Sequence, residues 1–359
     1  MTPNSRQQQP TKNPVYIITG PTASGKTEYA VRLAKRINGE IISADSRQVY
    51  KEMRIGTGAP VLQQGTYKGI RHHLIGIADP TKTYTAFHFQ QDALRTINDI
   101  YRRGKTPIVV GGTGLWIRAL KEGLNFQQTK PNVNMRKQFE KELTKNGLKN
   151  LVQKLKSFNR NIKIDFKNPR RVIRALEISL SKTRSNTNVI AEHPKQSANT
   201  NDRDGESPRL DTSITRNDDS FTFKTILLAP SNDTLNKRIN RRVDQMMKSG
   251  LVEEVKRLLQ KYKLTRSSQT RGSNRGMNQH THTASNRRSS AGRFGHLTRD
   301  TIQINESKLK RIPALTGIGY REIIDYLQGN ITLTEAVELI KLHTRQYAKR
   351  QLTWLKKYR

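Results

Sequence analysis

The stretch that decides the fold is GPTASGKT, residues 20–27, a G-x-x-x-x-G-K-[ST] pattern built on Gly20, Pro21, Thr22, Ala23, Ser24, Gly25, Lys26 and Thr27. Val15, Tyr16, Ile17 and Ile18 run into it as a strand, and EYAVRLAKRI (28–37) leaves it with apolar residues at helical spacing. Strand, glycine-rich loop and helix form the setting in which backbone N–H groups and a helix N-terminus hold a polyphosphate. A glycine-rich turn that merely caps a helix would not place Lys26 at the helix start, where its charge opposes the helix dipole. Most chains with this loop bind a nucleotide such as ATP or GTP. A diphosphate leaving group on another substrate fits equally well. Lys26 suits phosphate oxygens and Thr27 suits Mg²⁺.

Outward from the loop, residues 15–124 alternate strand and helix patterns. VYIIT, EIISADS and PIVVGGTG read as strands, and FQQDALRTINDIYRRG reads as an amphipathic helix stopped by Gly104. This alternation predicts an α/β fold, a P-loop NTPase-like parallel sheet covered by helices on both faces. Ligands of such sheets bind beyond the C-terminal strand ends, where the loop 20–27, DSRQVY (45–50) and GGTG (111–114) all fall. Residues 125–184 turn helical, as an all-helical insertion domain within the core. FKTILLAP (223–230) is apolar enough to read as a central strand, and residues 235–262 as one or two helices around Gly250. The end of the chain, 332–358, reads as helix. The expected organisation is a disordered tail at 1–13, core at 14–124, helical insertion at 125–184, a low-complexity insert at 185–220, and core again at 221–359. A second low-complexity insert, 265–305, interrupts this last part.

Charge points to a polyanionic partner. Lys and Arg total 66 against 29 Asp and Glu, a formal net charge of +37, and neutralising phosphates releases their counterions. A generally basic proteome, or basic inserts that serve solubility, would give the same count. There is no cysteine, which excludes disulfides and Cys-ligated zinc. The eight histidines form no metal-ligand spacing, and no run of eighteen apolar residues exists. No membrane partner is therefore expected, and the polar start of the chain leads us to expect a cytoplasmic protein.

Several residues carry two readings each. Asp45 is either a helix N-cap or a carboxylate acting in the crevice, as a general base or beside Mg²⁺. The glycines around Thr113 either admit a ligand or simply turn the chain. Arg238, Arg241 and Arg242 form a cluster that a solvated helix face would also produce. Arg170 and Arg174 share a helix face, as do Arg345 with Lys349 and Gln346 with Arg350. Such faces suit phosphates and base edges, or plain solvation.

Order resolves what single motifs leave open. GPTASGKT, DSRQVY, GTGAP, HHLIG, VGGTG, NPRRVIRALE, GIGYREI and TRQYAKRQLTW follow one another along the chain. This set resembles the tRNA dimethylallyltransferase (tRNA isopentenyltransferase, IPP transferase) family over residues 14–184 and 221–358. The resemblance implies transfer of a dimethylallyl group from dimethylallyl diphosphate to N6 of adenosine 37 in the anticodon stem-loop of tRNA. The loop would then hold a diphosphate with Mg²⁺ at Thr27. Asp45 matches the family's general base, Thr113 a threonine near the reacting centre, and Arg242 an arginine on the diphosphate. The tRNA contacts it implies are Asp45, Ser46, Arg47, Gln48, Arg136, Arg170, Arg171, Arg174, Gly319, Tyr320, Arg321, Arg345, Gln346, Lys349, Arg350 and Gln351. A monomer is expected. The chain departs from the family pattern at Gly76, where Asp is usual, and in DFKNPRR (165–171). An adenylate isopentenyltransferase and a P-loop small-molecule kinase are the competing readings. The first would lack the RNA-gripping segments, and the second leaves TRQYAKRQLTW unexplained.

Overall fold

A computed structural model describes residues 13–126, 132–188, 221–265 and 302–356. The chain packs into two units, one comprising 1–123 with 215–359 and the other 124–214. Residues 1–12 of the expected tail and most of the two expected inserts lie outside the described residues.

The first unit is built on six strands in the order β3-β4-β2-β5-β1-β6. In chain order these are β1 (Asn13–Thr19), β2 (Gly39–Ser43), β3 (Thr66–Tyr67), β4 (Ile70–His73), β5 (Thr106–Gly111) and β6 (Phe221–Leu227). All neighbours pair in parallel except β3 and β4, which form a short antiparallel hairpin at one edge. Asn13, expected in the tail, already pairs with Phe221. Val15, Ile17, Ile18, Ile42, Ile108 and Val109 are fully buried, as continuous apolar runs require in a sheet covered on both faces. Each such side chain contributes about 1.5–3 kcal/mol by leaving water.

β6 corrects one expectation. Among the described residues it pairs with β1 alone and so lies at the edge of the sheet, not the centre. Its pattern alternates, with Thr222 and Lys224 exposed and the Lys224 ammonium 5.8 Å from the Tyr16 ring centroid. Alternation, rather than apolar content, marks a half-covered strand.

The helices of this unit are α1 (Lys26–Arg36), α2 (Ala86–Arg102) and α3 (Gly114–Glu122) in the first part of the chain. Ala30, Val31 and Ala34 of α1 pack on Ile18, Ile41, Ile108 and Val110, the i, i+1, i+4 stripe that the sequence spells. Thr85 caps α2 in a capping box with His88, and Phe89 of α2 stacks on Trp116 of α3 at 4.6 Å.

The second unit holds α4 (Val133–Phe158), interrupted at Gly147, and α5 (Pro169–Asn188). Phe139, Leu151, Leu155, Val172, Ile173 and Leu176 form its own core. α5 runs four residues into the stretch expected to be low-complexity.

The chain then returns to the first unit as α6 (Asn232–Lys248), α7 (Leu251–Lys261), α8 (Glu306–Leu309), a 3-10 turn (Pro313–Thr316), α9 (Tyr320–Leu327) and α10 (Leu333–Leu355). Gly250, at φ +90°, divides the expected helical stretch into α6 and α7. Thr265 and Ile304 pair as a β-bridge and Asn305 donates its N–H to Leu264 O at 2.8 Å. The ends of the second insert are thus pinned together.

Candidate functional site

A cavity of about 710 Å³ opens over the C-terminal strand ends of the first unit. Its walls come from the loop 22–28, the turn 45–48, the segment 56–58, α6 through Arg238 and Arg242, the segment 316–321, and α10 through Thr344, Tyr347, Arg350 and Gln351.

The phosphate loop has its expected shape. Gly25 precedes α1 at φ +90°, a conformation that favours glycine. A Cβ on Gly20 would sit 2.3 Å from Leu228 O. Lys26 Nζ donates to Pro21 O at 2.6 Å. Burial lowers the Lys26 ammonium pKa to about 8; the nearby Asp45 charge partly offsets this and Arg242 adds to it. Arg242 is itself lowered by burial, with Asp45 again opposing. Two desolvated cations therefore face one carboxylate across an open cavity, where an anion would be strongly held.

Arg242 is fixed at both ends of its guanidinium. Nη1 donates to Thr22 Oγ1 at 3.0 Å and Nη2 to Thr57 O at 2.7 Å. Arg238 Nη1 reaches Ser24 O at 3.4 Å, so Arg238 and Arg242 line the cavity at i, i+4, although Arg238 remains exposed. Arg241 is exposed.

Asp45 caps a turn where the sequence offered a helix N-cap, and its carboxylate lies on the cavity wall. Its Oδ1 accepts the N–H groups of Arg47 at 2.8 Å and Gln48 at 3.3 Å, capping a turn; no helix follows. Oδ2 takes no hydrogen bond among the described residues and stays available. Ser46 N–H donates to Thr113 Oγ1 at 3.1 Å, so Thr113 orients the Asp45 turn from behind without lining the cavity. Arg47 Nη1 donates to Pro313 O at 3.1 Å, tying the same turn to the segment before α9. Gln48 Oε1 receives Ser43 Oγ at 3.2 Å.

The glycines of GGTG allow two close approaches, Gly111 to the Ala44 backbone, with a Cβ 2.1 Å from Ala44 O, and Gly112 and Gly114 to α10. A Cβ on Gly112 would lie 2.4 Å from Gln351 Nε2, and one on Gly114 2.2 Å from the Trp354 ring. Gln351, buried, accepts Thr22 N–H at 2.8 Å and donates to Gly112 O at 2.9 Å.

The other expected nucleic-acid contacts divide. Arg350 lines the cavity with its guanidinium 6.0 Å from the Tyr347 ring, while Gln346 and Lys349 are exposed. Arg345 turns to Asn240 Oδ1 at 2.7 Å. Gly319, Tyr320 and Arg321 line the cavity, and Arg321 pairs with the buried Glu322 at 2.6 Å. In the second unit, Arg136 Nη2 and Arg174 Nη1 both bond Glu177 Oε2, at 2.9 and 2.7 Å. Glu177 is fully buried. Burial alone would raise its pKa, yet Arg174, the Asn132 N–H and Arg136 hold it below the usual range. Arg170 and Arg171 are exposed.

Two residues, Glu254 and His72, escaped the sequence reading of the site, and Tyr347 lies within the stretch 344–351 that the resemblance implies without being singled out there. Tyr347 lines the cavity with its hydroxyl pKa pushed up to about 12 by burial and then by the Asp45 charge; the spacing Thr344, Tyr347, Gln351 on one helix face is the signal that would have found it. Glu254, buried, accepts the N–H groups of Arg54, Ile55 and Gly56, a role no local pattern announces. His72 faces the cavity, with Nδ1 2.9 Å from Ile70 O. That carbonyl can only accept, so Nδ1 carries the proton. Nε2 is the one buried side-chain polar atom without a partner among the described residues. No group of three or more acidic or histidine side chains among the described residues could hold a metal ion; a metal here would rest on Thr27 and on its substrate's oxygens.

The IPP transferase family model matches residues 48–286 and 295–358, and an isopentenyl transferase model matches 13–74. The chain is 36% identical over 345 residues to the tRNA dimethylallyltransferase of Acetivibrio thermocellus, covering 96% of this chain and 88% of that one. It is 34% identical over 350 residues to that of Clostridioides difficile, covering 97% and 90%. Among solved structures, the full-length tRNA isopentenylpyrophosphate transferase of Bacillus halodurans matches with TM-score 0.56 at 33% identity, over 96% of this chain and 87% of that one. A eukaryotic dimethylallyltransferase captured acting on tRNA matches with TM-score 0.64 at 26% identity, over 96% and 70%.

Proposed function

The chain belongs to the IPP transferase family, and on that premise we propose that its cavity transfers a dimethylallyl group from dimethylallyl diphosphate to N6 of adenosine 37 in tRNA. One observation carries the reading: Lys26, Arg242 and Asp45 converge on a single cavity, with the two cations partly desolvated and one oxygen of the carboxylate uncommitted.

The chemistry follows from that arrangement. An allylic carbon ionises readily when the charge on its departing diphosphate is stabilised. The loop amides, Lys26 and Arg242 supply this stabilisation from fixed positions. Adenine N6 is a weak nucleophile because its lone pair is delocalised into the ring, and Asp45 Oδ2 accepts the proton that N6 loses as it attacks. The C1–O bond to diphosphate breaks, the C1–N6 bond forms, and diphosphate leaves. The target base must leave its stack to enter the cavity, at least cost in a loop. In the first unit, the exposed cations Lys349 and Arg350 on α10 offer phosphate contacts for the anticodon stem-loop; in the second unit, taken by itself, Arg170 and Arg171 on α5 are exposed cations of the same kind.

Thr27 lines the cavity beside Lys26, and its hydroxyl suits Mg²⁺ shared with diphosphate oxygens. Bound there, the ion would neutralise part of the leaving group's charge. No helix among the described residues is long and apolar enough to cross a membrane; the enzyme would work as a monomer in the cytoplasm, where sedimentation as a dimer at micromolar concentration would refute the first part.

The test offers labelled dimethylallyl diphosphate and Mg²⁺ with an anticodon stem-loop RNA carrying A37, the same RNA with G37, and free AMP. Label on the A37 RNA alone is expected. Label on AMP would make the chain an adenylate isopentenyltransferase.

A further inference from the structure

We infer that Glu254, outside the reacting groups, is the residue that positions Arg242 for the diphosphate; this rests on the function proposed above. Glu254 lies in the first turn of α7 and is 3% exposed. Its carboxylate collects four neutral donors. Oε2 accepts Arg54 N–H at 3.0 Å and Ile55 N–H at 2.8 Å. Oε1 accepts Gly56 N–H at 3.0 Å and the Tyr320 hydroxyl at 2.7 Å. Three consecutive amides directed at one carboxylate form a concave anion site, filled here by the protein itself. The charge spreads over four hydrogen bonds in place of water, which is what a buried carboxylate requires.

What those bonds hold is the cavity wall. Gly56, Thr57 and Gly58 line the cavity, as do Gly319 and Tyr320. Thr57 Oγ1 donates to Met53 O at 2.6 Å, which ties Thr57 into the same turn that Glu254 holds through the Arg54, Ile55 and Gly56 amides. The Thr57 carbonyl is the acceptor for Arg242 Nη2 at 2.7 Å. The guanidinium passes so close to the wall that a Cβ on Gly58 would lie 2.0 Å from Nη2. Arg242 has its other anchor on Thr22 of the phosphate loop. Glu254 therefore sets where one end of the guanidinium sits relative to the loop. Replacing it by Gln would put an NH₂ group among four donors and leave at least one buried N–H or O–H unpaired, so the segment 54–58 shifts.

A double-mutant cycle on the full-length protein tests this, reading both the KM for dimethylallyl diphosphate and the Kd for inorganic diphosphate. Glu254→Gln should weaken both by about tenfold or more, while affinity for the stem-loop RNA stays within about twofold of the parent. In an Arg242→Ala background the same change should add almost nothing, because the group it positions is gone. Glu254→Asp keeps the charge but loses the reach, and provides the same cycle should the Gln variant not fold. Equal losses in both backgrounds, or an effect on RNA affinity alone, would overturn the inference. Absence of prenyl transfer by the parent protein, with diphosphate still bound and the cycle still coupled, would strike the proposed function and leave the positioning role standing.

Discussion

The carboxamide of Gln351, on α10, accepts the backbone N–H of Thr22 at 2.8 Å and so ties the last described helix to the phosphate loop. Its amide nitrogen meanwhile donates to Gly112 O at 2.9 Å. Both polar ends are engaged within the protein, so the side chain shapes the diphosphate site from behind. Gln351→Ala should raise the KM for dimethylallyl diphosphate by about tenfold, since the half-buried Thr22 N–H loses the acceptor that fixes the loop. RNA affinity should hardly change. A loss confined to RNA affinity in a filter-binding titration would return Gln351 to the RNA surface.

Asp45 invites the conservative substitution rather than alanine. Its Oδ1 supports the turn through Arg47 and Gln48, and Asp45→Asn keeps an acceptor there while removing the base. The single-turnover transfer rate should fall by about 10²- to 10⁴-fold, the range of general acid–base catalysis. Donor binding should persist. Near-parental turnover in the Asn variant would remove Asp45 from proton transfer.

Lys26 gives the donor site a pH dependence. With its pKa lowered to about 8 by burial, the ammonium that attracts diphosphate is present below pH 8 and lost above it. Dimethylallyl diphosphate affinity, measured by calorimetry, should decline as pH rises through about 8. Lys26→Arg should abolish that decline, because guanidinium stays charged. The linkage to folding has the opposite sense. The unfolded lysine keeps its proton up to the ordinary lysine value of 10.5, so between about 8 and 10.5 the unfolded chain binds more protons and this group makes the empty protein more stable as pH rises. A flat affinity profile from pH 7 to 9.5 would contradict the assignment.

The two arginine pairs of the second unit should behave differently. Arg136 and Arg174 share the buried Glu177, and Arg174→Ala should lower the unit's stability by about 1.5–3 kcal/mol by weakening a charge-assisted bond on a buried carboxylate. Arg170 is exposed, and Arg170→Ala should leave the melting temperature unchanged. It should weaken stem-loop RNA binding and reduce the salt slope by about one. Thermal melts and a salt titration of both variants decide this, and identical signatures would refute the division.

The sequence made the fold legible where its signals are local. GPTASGKT with its flanking strand and helix located the loop 20–27 between β1 and α1, and Gly104 and Gly250 marked helix boundaries where the structure has them. β6 was misplaced because apolar content does not report which neighbours a strand has. In the site, Lys26, Asp45 and Arg242 were readable from motif and resemblance. Glu254 was not, because its four donors come from residues 54–56 and from Tyr320, and nothing in GLVEEV distinguishes a buried carboxylate from a solvated one. Gln351 enters only through the resemblance, as an RNA contact, but its partners lie at Thr22 and Gly112, and only the folded chain shows that they consume it.

The central claim is that Asp45 and the diphosphate site act on adenosine 37 of RNA. Mass analysis of a synthetic anticodon stem-loop, incubated with the protein, Mg²⁺ and dimethylallyl diphosphate and then digested to nucleosides, tests it most directly. The account predicts one added C5H8 unit on the adenosine at position 37, absent with the Asp45→Asn protein and with a G37 RNA. Unmodified RNA alongside turnover of ATP would contradict it, and would give the loop at 20–27 to a nucleotide.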